Sequence, residues 1–216
     1  MSAQDDRIAR ELLDRAGTTY AAEAGISLAD KPAPLFQLLM LSQLLSTRIS
    51  AGIAVAAARE LISTGYRTPQ RVHDADWQEL VDALGRGHYR RYDESTATRL
   101  GENAAIVIDR YHGDLRKLVD ESDRDPARLA ESLQRFHGIG PTGADIFLRE
   151  VQDVWTWLRP HFDERARRGA DLLHLSGDPK DLDRLSRRGH DAELAAALVR
   201  VSLDHELAER VLAAAG

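Results

Sequence analysis

The segment Leu35 to Ile62 constrains this chain most, because Leu38, Leu39, Leu41, Leu44, Leu45, Ile49, Ile53 and Val55 leave almost no polar face. A helix that is apolar all round has to be enclosed by other structure. The pattern predicts a central buried helix, interrupted near Ser46. With 216 residues, 43% of them apolar, the chain can build one large or two small domains around it.

Elsewhere the apolar residues recur at helical spacing and no convincing alternating strand is found, so the expected class is all-α. Helices are predicted from Asp5 to Ala16, from Trp77 to Leu84 and from Asp93 to Tyr111, the last closed by His112-Gly113. Thr68-Pro69, Asp74 to Asp76 and Asp125-Pro126 carry cap and turn signals. Further helices are expected over Phe162 to Leu173, Pro179 to Arg187 and Ala192 to Ala215. The linker signals at Lys31 to Pro34 and around Leu158-Arg159-Pro160 divide the chain into a central domain, 35–157, and a second lobe from both ends, 1–34 plus 158–216.

The chain contains no cysteine, which excludes disulfides, thiolate metal sites, cysteine nucleophiles and cysteine-held iron–sulfur clusters. Its eight histidines show no metal-ligand spacing, so no metal site is expected. No leader pattern and no membrane-length apolar run is present, which makes a cytoplasmic monomer the expectation. The net charge of −6 argues against a partner of phosphate, but arginine is concentrated at 86–91, 159–168 and 184–188. Each cluster reads equally as a basic face or as a solvated helix surface balanced by nearby acids.

His137-Gly138-Ile139-Gly140-Pro141 lies between the amphipathic run Leu129 to Phe136 and a second run, Ala144 to Val151. Two glycines around one apolar residue permit a sharp turn and close backbone approach, so residues 129–151 read as helix, hairpin, helix. Such a turn can present amides to phosphate.

Four blocks, spanning about Phe36 to Leu175, resemble the helix-hairpin-helix DNA glycosylases of the endonuclease III type. They are Leu41 to Thr47 on the apolar helix, Gly87-His88-Tyr89-Arg90-Arg91 before a helix, Leu133 to Leu148 at the hairpin, and Phe162-Asp163-Glu164-Arg165. The resemblance implies a two-lobed all-α fold, double-stranded DNA with a damaged or mispaired base as partner, and base excision repair as the setting.

The resemblance also implies roles. Asp163 stands at the family's catalytic aspartate, where a carboxylate stabilises an oxocarbenium-like state and activates water. Read alone, Asp163 is first an amino-terminal helix cap, a preference that the family position reverses. Where the strand-cleaving branch carries a lysine, this chain has Thr142, and its only lysines are Lys31, Lys117 and Lys180. Water is therefore the expected nucleophile, without efficient lyase activity, and Thr142 either orients that water or caps the second hairpin helix.

Gln43 matches a residue that fills the gap left by an extruded nucleotide, the alternative being a buried, satisfied amide. Ser46, Tyr89, His137, Gly138, Gly140 and Gly143 complete the expected DNA-binding set, with Tyr89 open as a turn anchor and His137 as an exposed turn residue. Trp155, Trp157 and His161 are candidates for a base pocket, or for hydrophobic contact. No cofactor is expected, although the hairpin carbonyls leave room for a monovalent cation. The competing readings are a noncatalytic DNA-binding protein that has lost catalysis and a helical protein-interaction module. Which lesion would be taken is not written in the sequence.

Overall fold

A computed structural model describes residues 2–186 and 189–216. The arginine pair at 187 and 188, the end of one predicted basic cluster and of one predicted helix, lies outside the described residues. The helices are α1 (Ala3–Ala16), α2 (Tyr20–Glu23), α3 (Pro32–Leu45), α4 (Ala51–Thr64), α5 (Pro69–His73), α6 (Trp77–Arg86) and α7 (Asp93–Tyr111). They continue as α8 (Lys117–Glu121), α9 (Pro126–Leu133), α10 (Pro141–Val151), α11 (Glu164–Leu172), α12 (Pro179–Leu185), α13 (Asp191–Leu203) and α14 (His205–Ala215). A single 3-10 turn covers Thr156–Leu158, and no strand occurs among the described residues. None of the described helices is long and apolar enough to cross a membrane.

The chain divides into two compact units, one of residues 1–20 and 148–216 and the other of residues 21–147. The divisions thus fall earlier than the linker signals at 31–34 and 158–160, the second of them inside α10. Proline at 32 and 34 starts a helix rather than separating units, because its missing N–H costs nothing in a first helical turn.

In the 21–147 unit, α3 packs on α4, α4 on α6, and α7 on both α5 and α6. Every residue from Leu35 to Leu44 is buried, as the apolar segment demands. Its interruption falls where expected and has a local cause: Ser46 Oγ donates to Ser42 O (2.5 Å), Thr47 Oγ1 donates to Leu44 O (2.8 Å), and Ser50 Oγ accepts from Ile53 N (3.4 Å) to start α4. These hydroxyls offer the backbone partners other than the helical ones. Thr68, Asp76 and Asp125 cap α5, α6 and α9, and His112 ends α7 in the left-handed conformation.

In the other unit α1 buries Ile8, Ala9, Leu12, Leu13 and Ala16 and packs on α13 and α14. The contact of α11 with α13 is a close backbone approach, since a Cβ on Gly169 would stand 1.9 Å from Leu198 O. The helix expected over Ala192 to Ala215 is two helices. Asp204 takes extended angles, its N–H donates to Arg200 O (2.9 Å), and its carboxylate accepts from Leu207 N (3.2 Å), so one residue ends α13 and caps α14.

Candidate functional site

The expected site residues fall into two groups, one in each unit. Gln43, Ser46, Tyr89, His137, Gly138, Gly140, Thr142 and Gly143 lie in residues 21–147, while Trp155, Trp157, His161 and Asp163 lie in the other unit.

The hairpin between α9 and α10 is held from behind by α7. Asn103, 2% exposed, accepts from His137 N at 2.7 Å and donates to His137 O at 2.9 Å, so one amide satisfies both polar groups of that residue's backbone. The same amide nitrogen donates to Gln43 Oε1 at 2.9 Å. Gln43 is itself 3% exposed and hydrogen-bonded, which fits the buried-amide alternative. Gly138 takes a φ of +80°, and a Cβ there would come within 3.3 Å of Gln43 Cγ and 3.4 Å of Arg99 Cδ. Ile139 is buried, whereas His137 is exposed and lies 3.8 Å from Glu102.

Gly140 precedes the first turn of α10, and a Cβ on it would meet nothing within 4 Å. Its backbone is thus open to approach. Gly143 is the opposite case: a Cβ there would stand 2.5 Å from Ser46 Oγ and 3.2 Å from Ile139 Cγ2, so a larger residue requires the Ser46 hydroxyl to move. Thr142 is the second residue of α10, inside the helix and not at its capping position, and it is half-buried.

Tyr89 is fully buried, which removes it as a surface contact and makes it the turn anchor that its glycine-bounded setting allowed. Its hydroxyl is 2.9 Å from Thr47 Oγ1 and accepts from Thr96 Oγ1 at 3.3 Å, tying the residues after α3 and α6 to α7. The loop it anchors needs Gly87, because a Cβ there would lie 2.4 Å from Ala57 Cα. Arg48, Arg90 and Arg91 follow or flank these anchored residues, and all are exposed. Among the described residues none of the three forms an ion pair.

In the other unit Asp163 is the amino-terminal cap of α11, accepting from Ala166 N at 2.9 Å through Oδ1. Its Oδ2 is paired with the Arg149 guanidinium, and the two side chains are 4% and 3% exposed. His161 is held by a second backbone bracket: its N–H donates to Gln152 Oε1 (2.8 Å) and its carbonyl accepts from Gln152 Nε2 (3.0 Å). Burial lowers the proton affinity of the His161 ring below its ordinary value, with the nearby Arg149 charge acting in the same direction and Asp163 opposing it. Trp155 is buried and Trp157 half-buried, with ring centroids 6.4 Å apart at 20°. That separation and tilt are within the range of a direct ring pair, which fits the hydrophobic-contact alternative.

The segment before α11 is joined to α13 by charge. Arg159 donates to Asp153 (2.7 Å) and to Gly189 O (2.8 Å), and Asp153 accepts from the amides of Asp191 and Ala192 at 3.1 and 3.2 Å. Burial raises the proton affinities of Asp153 and Asp191. A chain without cysteine has no thiolate for an iron–sulfur cluster, and here the carboxy-terminal helices are held by packing and by this network. No group of three or more His, Asp or Glu suited to a metal ion is found among the described residues. A cavity of about 940 Å³ lined by Tyr66, Arg71, Asp74 and Glu79 contains none of the expected site residues.

Asn103, Arg149 and Gln152 are the residues that the sequence pattern missed. Each is a polar side chain on an otherwise buried helix face or end, and that mismatch is the signal by which they could have been found.

No family model matches the chain, and no curated protein matches it. A trapped covalent intermediate of endonuclease III with DNA, holding an estranged adenine, matches at 18% identity over 93% of this chain and 86% of that one, with a TM-score of 0.47. A non-covalent endonuclease III–DNA complex matches over the same shares at 16% identity, with a TM-score of 0.50. The fold is that of endonuclease III.

Proposed function

We propose that the protein binds duplex DNA through its hairpin and acts as a monofunctional DNA glycosylase in base excision repair. The observation that carries this reading is the hairpin itself: a backbone pinned by Asn103, open at Gly140, and followed by the Thr142 and Gly143 amides of the first turn of α10. First-turn amides lack partners within their own helix and are suited to a phosphate oxygen. The endonuclease III fold, in a structure that is a DNA complex, supports the same assignment. Exposed Arg48, Arg90 and Arg91 supply positive charge on an otherwise acidic chain.

Asp163 is the group for the chemistry. A carboxylate accepts about four hydrogen bonds, and here two sites are used, by Ala166 N and by Arg149, so acceptor capacity remains for a water beside the sugar. Developing positive charge on the sugar is stabilised by the same carboxylate. With Thr142 where a lysine would form a Schiff base, the base is released and the strand is left intact. No iron–sulfur cluster or other cofactor takes part.

A second reading is a noncatalytic DNA-binding protein, favoured by the depth at which Asp163 is sealed against Arg149. Duplexes carrying oxidised, alkylated, deaminated or mismatched bases, incubated with the protein and then treated with alkali, separate the two. Base release that is lost in Asp163→Asn, with folding checked by circular dichroism, supports the glycosylase. Binding without release of any base leaves the noncatalytic reading, and absence of binding refutes both.

A further inference from the structure

A second residue of α7 lies against the hairpin. Arg99 and Asn103 are one turn apart on α7, spaced so that both side chains reach the same neighbour. Asn103 holds the peptide groups of His137, and Arg99 lies along the next residue, its Cδ 3.4 Å and its Nη1 3.7 Å from where a Cβ on Gly138 would stand. Any side chain at Gly138 would meet this arginine as well as demand a positive φ. Arg99 is exposed, and among the described residues it forms no ion pair, although Glu102, 3.8 Å from the His137 ring, stands one turn away. An arginine is therefore laid against the glycine turn by its aliphatic stem, its charge unneutralised, beside backbone amides that Asn103 fixes.

We infer that α7 is part of the DNA-binding site: Arg99 contacts a backbone phosphate at the hairpin, and Asn103 is the positioning residue that sets the turn for it. This rests on the proposal that the hairpin binds DNA. The two roles differ in kind, because a cation that neutralises a phosphate releases counterions whereas a neutral amide that shapes a loop does not.

Fluorescence anisotropy with a labelled duplex, titrated at several salt concentrations, reads both. Arg99→Ala is expected to weaken binding about five- to tenfold at moderate salt and to reduce the slope of log affinity against log salt by about one. Arg99→Lys should restore the slope, since it retains the charge. Asn103→Leu should weaken binding with the parent slope retained. Arg71→Ala, an exposed arginine beside the cavity near α5, should change neither. Because Arg99 is exposed, its substitution tests the inference even if Asn103→Leu fails to fold. A parent that binds duplex while Arg99→Ala binds with the same affinity and slope overturns this inference alone. A parent that binds no duplex at any salt overturns the DNA reading and this inference with it.

Discussion

Asp163 is at once the cap of α11 and the buried partner of Arg149. Capping does not exclude the catalytic role proposed for this residue, because the cap uses one acceptor site of a carboxylate that has several. The pair also joins the end of α10 to the start of α11.

Asp163→Asn should therefore affect more than chemistry. Asparagine still caps a helix, but the Arg149 charge, 3% exposed, loses its counter-charge. A loss of about 3 kcal/mol is expected in urea unfolding, as for other buried pairs broken on one side. Arg149→Met combined with Asp163→Asn should recover part of it. A single variant as stable as the parent would show that the pair contributes nothing to folding.

His161 makes stability depend on pH. Burial lowers its affinity for a proton in the folded state, so below 6.5, its ordinary value, the unfolded chain binds the proton more readily. Its contribution is present above that pH and is lost as pH falls through 6.5 toward the depressed folded value. Denaturant midpoints measured between pH 7.5 and 5.5 should fall less in His161→Gln than in the parent. The backbone bracket from Gln152 does not involve the ring and should survive.

Gly169→Ala should be among the most damaging small substitutions. The added carbon would lie 1.9 Å from Leu198 O, and because that neighbour is backbone, α11 and α13 have to separate. A cost of about 3 kcal/mol or more is expected from overpacking, read as a lowered Tm. Gly140→Ala, with open space around it, should be close to neutral for folding.

On the monofunctional reading proposed above, in which Thr142 stands where a lysine would attack, borohydride should trap no covalent complex with abasic duplex. Thr142→Lys is the informative companion. Trapping gained by that variant, and absent from the parent, would place residue 142 within reach of the sugar.

Features governed by near neighbours were legible in the sequence. The bounds of α7, the caps at Thr68, Asp76 and Asp125 and the interruption after Leu45 depend on side chains that bond to backbone within a few residues. The helix break at Asp204 was not, because neither glycine nor proline marks it and aspartate also occurs within helices. The hairpin was visible as a motif, but its support by Asn103, 34 residues earlier, depends on how α7 is rotated in the fold. The depth at which Gln43 and Tyr89 lie was not legible either, because packing determines it and residue type does not.

The unit made from residues 1–20 and 148–216 has a consequence for how the protein is made. On a ribosome α1 emerges well before α13 and α14, the helices that cover its apolar stripe. At about 5–20 residues per second, α1 waits on the order of ten seconds or more for its partners. The contacts internal to residues 21–147 join segments translated earlier and can form during that interval. The nascent chain thus carries an uncovered amphipathic helix ahead of an already folded body, and chaperone capture of the growing protein is expected at Ile8, Leu12 and Leu13.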